Sequence, residues 1–209
     1  MKPLTRYILS RFGGRVATRN EVKAVCDKFG SSYTHTTNFM ISYGYFVRIL
    51  RGLYYVKTLD EFKLGKLVDP YRIIPLGMER LDINWYSGLH TALRLNGLTH
   101  EFFTTIFVMN GRIYRPKEIA IAGERVRFLK LKDRFFGFGV RVRNGIRFSD
   151  PEKTVLDLVH IYRYRGMSEE RTISMVGDYS RDLDREKVGA YLDFYPKTVE
   201  RVVRDAGLV

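Results

Sequence analysis

The sequence predicts an α+β protein: an N-terminal winged helix-turn-helix domain followed by an α+β domain with a mainly antiparallel sheet and C-terminal helices. Three observations carry this. Helical spacing of apolar residues up to about residue 43 gives way to a β-rich hairpin around Arg51-Gly52. Several short β-rich runs lie between residues 103 and 148, and helical periodicity returns after Asp150-Pro151. The expected boundaries are 1–60 for the winged helix, 61–82 for a linker and 83–209 for the second domain.

The elements follow in order. Between Pro3 and Lys28 the apolar positions Leu4, Tyr7, Ile8 and then Val22, Val25, Cys26 mark two helices, separated by Gly13-Gly14, with Thr18 as an N-cap before Glu21. Gly30 ends the second helix; Ser31-Ser32 cap a third that runs to about Tyr43, and Gly44 closes it. In YFVRILRGLYYV, residues 45–56, two strands flank the Arg51-Gly52 turn. Gly65, Pro70, Pro75 and Gly77 make the next stretch read as a linker. Asn84 then caps a helix, WYSGLHTALRLNG, with Trp85, Leu89, Ala92 and Leu93 on one face. Strands are expected at 103–109, 118–122, 126–131, 136–142 and 146–148, then a helix from Ser149 or Asp150 through about Tyr164. Two or three shorter helices finish the chain, the last with Val199, Val202, Val203 and Ala206 on one side.

Charge narrows the function classes. The 209 residues carry 36 Lys/Arg against 23 Asp/Glu, a net of +13, which favours polyanionic partners. Residues 1–60 hold ten of those cations and three acids, so over half of the net charge lies in that segment. Residues 111–150 form a second basic stretch, eleven cations against four acids, with charges alternating in strand fashion. One cysteine excludes a disulfide scaffold, and one Cys with four scattered His gives no zinc set. No run of 18 apolar residues and no signal-peptide core is present, so a cytoplasmic protein without membrane partners is expected.

The third helix carries the functional information. At 100° per residue, Tyr33, Thr36, Thr37, Met40 and Tyr43 fall on one side, and Ser31, Thr34, His35, Asn38 and Ser42 on the other. The first side is suited to packing; the second is small and polar. In a winged helix this helix enters the major groove while the wing lies on the backbone. The expected DNA-binding set is therefore Ser31, Ser32, Thr34, His35, Asn38 and Ser42, with Arg48 and Arg51 on the wing. Asn38 offers a bidentate donor and acceptor pair to adenine, and the arginines fix phosphates. A solvated helix face is the plain alternative. The absence of Lys and Arg from this helix leaves open a second function class, a protein-interaction module whose winged helix is structural.

Beyond these residues a family resemblance emerges. The winged helix ending in FVRILRGLYYV, then YSGLHTALRLNGL at 86–98, a β-rich stretch, and SDPEKTVLDLVHIYRYRG at 149–166 resemble the AbiEi family of type IV toxin-antitoxin antitoxins and related transcriptional regulators. GLHTALRLNGL and DPEKTVLDL, in that order after a winged helix, are the most specific pieces, and the last 40 residues carry no matching motif. The resemblance implies an N-terminal domain that binds double-stranded operator DNA and represses its own operon. It also implies a second domain that opposes a nucleotidyltransferase-like toxin encoded alongside.

Catalysis is not expected. Asp150, Glu152, Lys153 and Asp157 contain the residue types of a metal-dependent nuclease, but Asp150-Pro151-Glu152 is what N-capping and the helix dipole favour. Lys153, Asp157 and His160 read as a polar helix surface. His90, His100 and His160 lack metal spacing, Cys26 sits at a core position, and there is no P-loop or GxGxxG, so no metal and no cofactor are expected. Gly137-Phe138-Gly139 reads as a bulge or close packing.

Overall fold

A computed structural model describes residues 1–181 and 183–209. The chain divides into two units: residues 1–83 with 120–124, and residues 84–119 with 125–209.

The first unit is built on α1 (Pro3–Phe12), β1 (Val16–Thr18), α2 (Arg19–Lys28), α3 (Tyr33–Ser42), β2 (Phe46–Leu50) and β3 (Leu53–Val56). Thr18 caps α2 through a full capping box with Glu21, and Ser32 caps α3 by accepting the His35 N–H. The hairpin β2–β3 turns at Arg51-Gly52, and β1, unforeseen because it is only three residues long, adds to it in the antiparallel order β1-β3-β2. Ile8, Phe12, Val22, Cys26, Met40, Phe46 and Tyr54 meet in one core under the three helices.

The expected linker at 61–82 is folded structure. It continues as α4 (Leu59–Lys63) and α5 (Pro70–Arg80), and α5 packs on all three strands. Asp69 caps α5, Pro70 occupies its first turn, and Ile73, Ile74 and Met78 are buried. Gly77 is the point of closest approach, because a Cβ there would stand 3.2 Å from Ile49 Cδ1. Pro75 and Gly77, which read as loop residues, are tolerated because the sheet decides the conformation. Tyr55 donates to the Glu61 carboxylate and Arg72 pairs with it at 2.8 Å, tying α4 and α5 to the wing.

The second unit contains β4 (Trp85–Ser87), α6 (Leu89–Asn96), β5 (Thr105–Asn110), all but the first residue of β7 (Glu124–Lys130), β8 (Val140–Arg143) and β9 (Ile146–Ser149), while β6 (Ile119–Ile121) runs from residue 119 into the 120–124 segment. The unit then runs through α7 (Pro151–Tyr164), α8 (Glu169–Tyr179), α9 (Arg185–Leu192) and α10 (Lys197–Asp205). The six-stranded sheet has the order β6-β7-β5-β4-β9-β8. The α+β class holds, and the six-stranded sheet is mixed: β4–β5 and β8–β9 pair antiparallel, while β5 pairs with β7, and β4 with β9, in parallel.

Two boundaries differ from the sequence reading. Residues 85–87 are a strand, because Trp85 and Tyr86 pair with Asn110 and Met109, so the helix begins only after Gly88. Residues 136–139 are not strand either; a short 3-10 turn at Asp133–Phe135 precedes them and β8 starts at Val140. Helix α7, with Asp150 as its N-cap, is the centre of the unit: Val155, Leu156, Leu158 and Val159 are buried among α6, α8, α9 and α10.

Candidate nucleic-acid interface

The two sides of α3 are distinct in space. Thr36, Thr37 and Met40 are buried, whereas Ser32, Thr34, His35, Asn38 and Ser42 are exposed and Ser31 is half-buried. Thr37 satisfies its hydroxyl by donating to the Tyr33 carbonyl at 2.9 Å, and Ser42 donates to Phe39 O at 3.1 Å. Ser31 donates to Phe29 O, and Ser32 is engaged as the cap. Among the described residues the side chains of Thr34, His35 and Asn38 bond to no other group, so their donors and acceptors are free for a ligand. Tyr43, expected on the packing side, is 62% exposed instead: it is the C-cap residue, and its ring lies tilted against Phe39 with centroids 4.4 Å apart.

Arg48 and Arg51 are exposed on β2 and at its turn, and neither forms a salt bridge among the described residues. An exposed guanidinium without an acidic partner is available to a phosphate.

One cation escaped the sequence reading. Arg19, the first residue of α2, lies with its guanidinium 5.4 Å from the Tyr33 ring, and its backbone N–H donates to Gly52 O of the wing turn at 2.7 Å. It therefore joins the starts of α2 and α3 to the wing. Tyr33 and Tyr54 share a hydroxyl contact of 3.0 Å across the same junction. Burial, then the bond to Tyr54, pushes the Tyr33 phenol up to about 12, so it remains a neutral donor. The available signal was the position of Arg19 directly after the N-cap Thr18, at the mouth of the helix preceding the recognition helix.

Three other polar clusters hold internal ion pairs. Beside α1 and α2 a cleft of about 620 Å³ is lined by Arg11, Arg15, Glu21, Glu79 and Arg80, but Arg80 pairs with Glu21 at 2.6 Å. In the second unit, Lys153 and Asp157 are not a helix surface: both are 0% exposed, 3.4 Å apart. Asp157 accepts from Tyr86 at 2.7 Å and from Tyr195 at 2.6 Å, while the Lys153 ammonium lies 4.2 Å from the Phe138 ring centroid and 4.8 Å from that of Tyr86. Gly139 closes this cage, since a Cβ there would stand 2.8 Å from Lys153 Cβ. Asp150 and Glu152 are both bound by Lys187, at 2.7 and 2.8 Å. No group of three or more His, Cys, Asp or Glu able to hold a metal occurs among the described residues. No described helix is long and apolar enough to cross a membrane.

No family model and no curated protein sequence matches the chain. The fold is similar to that in the crystal structure of the RV2827C protein from Mycobacterium tuberculosis, with a TM-score of 0.59 at 13% identity over 99% of this chain and 78% of that one. At that identity the likeness is one of fold.

Proposed function

We propose that the chain is a sequence-specific, double-stranded-DNA-binding transcriptional repressor. One observation carries this reading: the free side chains of Thr34, His35 and Asn38 lie exposed on α3, in the same unit as the unpaired Arg48 and Arg51 of the wing. In this reading α3 reads base edges in the major groove, and Arg19, Arg48 and Arg51 hold phosphates to either side. No step of chemistry is required of either unit, so the protein acts as a binder and not as an enzyme.

The resemblance to AbiEi antitoxins supplies the role of the second unit, antagonism of a nucleotidyltransferase-like toxin encoded alongside. Its closed α7 cage supports recognition over catalysis, because Lys153 and Asp157 are spent on each other and on Tyr86 and Tyr195. A second reading, a protein-interaction module with a structural winged helix, draws on the lack of any Lys or Arg on α3 and on the outward Tyr43.

Retention of the full chain on duplex DNA tests the first reading. The affinity falls with salt, log K against log salt sloping by about −0.9 per neutralised phosphate. Absence of retention at low salt favours the interaction module. Co-expression with the adjacent toxin-like gene tests the antitoxin role. A full chain carrying Asn38→Ala and Arg48→Ala, crippled for DNA, still restores growth. Loss of rescue in that variant means that protection acts through repression alone.

A further inference from the structure

Four aromatic rings run in contact along the surface of the first unit, from the end of α3 to α4. Tyr43 lies against Phe39 at 4.4 Å, Phe39 and Tyr45 stack with centroids 6.3 Å apart, and Tyr45 and Phe62 stack at 4.1 Å. Tyr43 is exposed, the other three are half-buried, and Leu59, one turn before Phe62, is exposed as well. The Tyr43 and Tyr45 hydroxyls bond to no other group among the described residues. The backbone beneath the row is fixed. The Tyr45 N–H donates to Met40 O and the Lys57 N–H to Tyr45 O, each at 2.9 Å, and a capping box at Thr58 starts α4. The rings are thus ordered in advance, so a partner that stacks on them loses little free energy to their ordering.

Charge narrows the partner. Lys2 Nζ stands 5.5 Å from the Phe39 centroid, and Lys63 and Lys66 are exposed at the end of α4 and in the turn after it. None of the three forms a salt bridge among the described residues. Glu61, next to Phe62, is taken by Arg72 and Tyr55, which leaves Asp60 as the free acid of α4. Three cations against one acid oppose a second copy of this chain, because a two-fold contact brings the same surplus together from both sides. They favour an anion. An acidic peptide answers the charge but offers no flat group to the rings, and in duplex DNA the bases already stack on one another. Unpaired nucleotides supply both parts, phosphates for the lysines and a planar face for the open side of Tyr43.

We propose that Tyr43, Phe39, Tyr45 and Phe62, with Lys2, Lys63 and Lys66, form a docking surface for single-stranded nucleic acid. This goes beyond the duplex reading and does not rest on it, since it uses none of Thr34, His35, Asn38, Arg48 and Arg51.

Anisotropy titrations of the full-length protein with labelled chains of about 12 units test it, using oligothymidine, oligouridine and an abasic deoxyribose-phosphate chain of equal length. The expected result is saturable binding of oligothymidine or oligouridine, the tighter of the two naming the sugar, with the abasic chain bound at least about tenfold more weakly. The slope of log K against log salt is about −0.7 per neutralised phosphate. Tyr43→Ala, at an exposed position, weakens binding about tenfold or more without lowering Tm; Tyr43→Phe keeps the ring and the binding. Arg48→Ala, on the wing, retains it. An abasic chain or polyglutamate bound as tightly as the oligonucleotides reduces the surface to charge and overturns the proposal. So does a Tyr43→Ala variant that binds like the parent, or an Arg48→Ala loss equal to that of Tyr43→Ala. Sedimentation that shows a dimer dissolved by Tyr43→Ala assigns the surface to a second copy and overturns it too.

Discussion

Helices α3 and α7 start alike and end differently. Each is capped by a side-chain oxygen, Ser32 or Asp150, and each carries polar residues at helical spacing along one side. On α3 that side faces solvent, with Thr34, His35 and Asn38 unbonded; on α7 Lys153 and Asp157 are sealed between Tyr86, Phe138 and Tyr195. The same periodicity therefore marks a surface offered to a partner in one unit and a self-satisfied core in the other. What separates them is the neighbour: α3 packs only its opposite side, whereas α7 is covered by α6, α8, α9 and α10. A buried charge must be answered from within the chain, and an exposed one need not be.

The largest effect that tests this contrast is on α7. Asp157→Ala strands the Lys153 charge and two tyrosine hydroxyls, and it lowers stability by about 3–5 kcal/mol in urea unfolding. Combining Asp157→Asn with Lys153→Met recovers part of that loss. A cost for Asp157→Ala below about 1 kcal/mol means that the pair is reached by water and the contrast fails.

On α3 the same kind of substitution leaves stability within about 0.5 kcal/mol and acts on binding instead. Asn38→Ala or His35→Ala costs about 1–3 kcal/mol on a cognate site and little on random DNA. Arg48→Ala and Arg51→Ala weaken both DNAs alike and reduce the salt slope by about 1 each. Equal losses for all four variants on both DNAs erase the division between reading and anchoring.

Acid sharpens the comparison within the first unit. Burial pushes the Glu21 and Glu61 carboxyls up, but bonds from Thr18 or Thr58, from Tyr55 for Glu61, and from Arg80 or Arg72 outweigh it and hold both below the usual range. The unfolded chain, with glutamate near ~4.3, then takes up protons first as pH falls. Their stabilisation is whole above that value and is lost as pH falls through the lower folded ones. A Glu21→Gln, Glu61→Gln double variant loses about 1 kcal/mol at neutral pH and shows a flatter acid limb in thermal melts. An acid limb parallel to the parent's counts against these capping boxes. The smallest change is Ser32→Ala, about 0.5 kcal/mol, because the cap bond to His35 is long at 3.4 Å. Circular dichroism melts that show no difference assign the start of α3 to packing.

The local features were legible in residues that act on their own chain neighbours. Thr18-Glu21, Ser32, Asp150-Pro151 and the Arg51-Gly52 turn place α2, α3, α7 and the wing, since caps and turns need only partners a few residues away. The exposure of His35 and Asn38 followed from local helical periodicity, and the place of Arg48 and Arg51 on the wing from the hairpin turn. Long-range contacts decided the rest. Gly77 became helix with Ile49 and Leu53 lying against it, and Trp85-Tyr86 became strand because Asn110 and Met109 pair with them. Lys153 and Asp157 looked like surface because nothing adjacent in sequence reveals Tyr86 and Tyr195, 71 and 38 residues from Asp157. Periodicity states that a helix has two sides; only the packing of distant segments determines which of them water reaches.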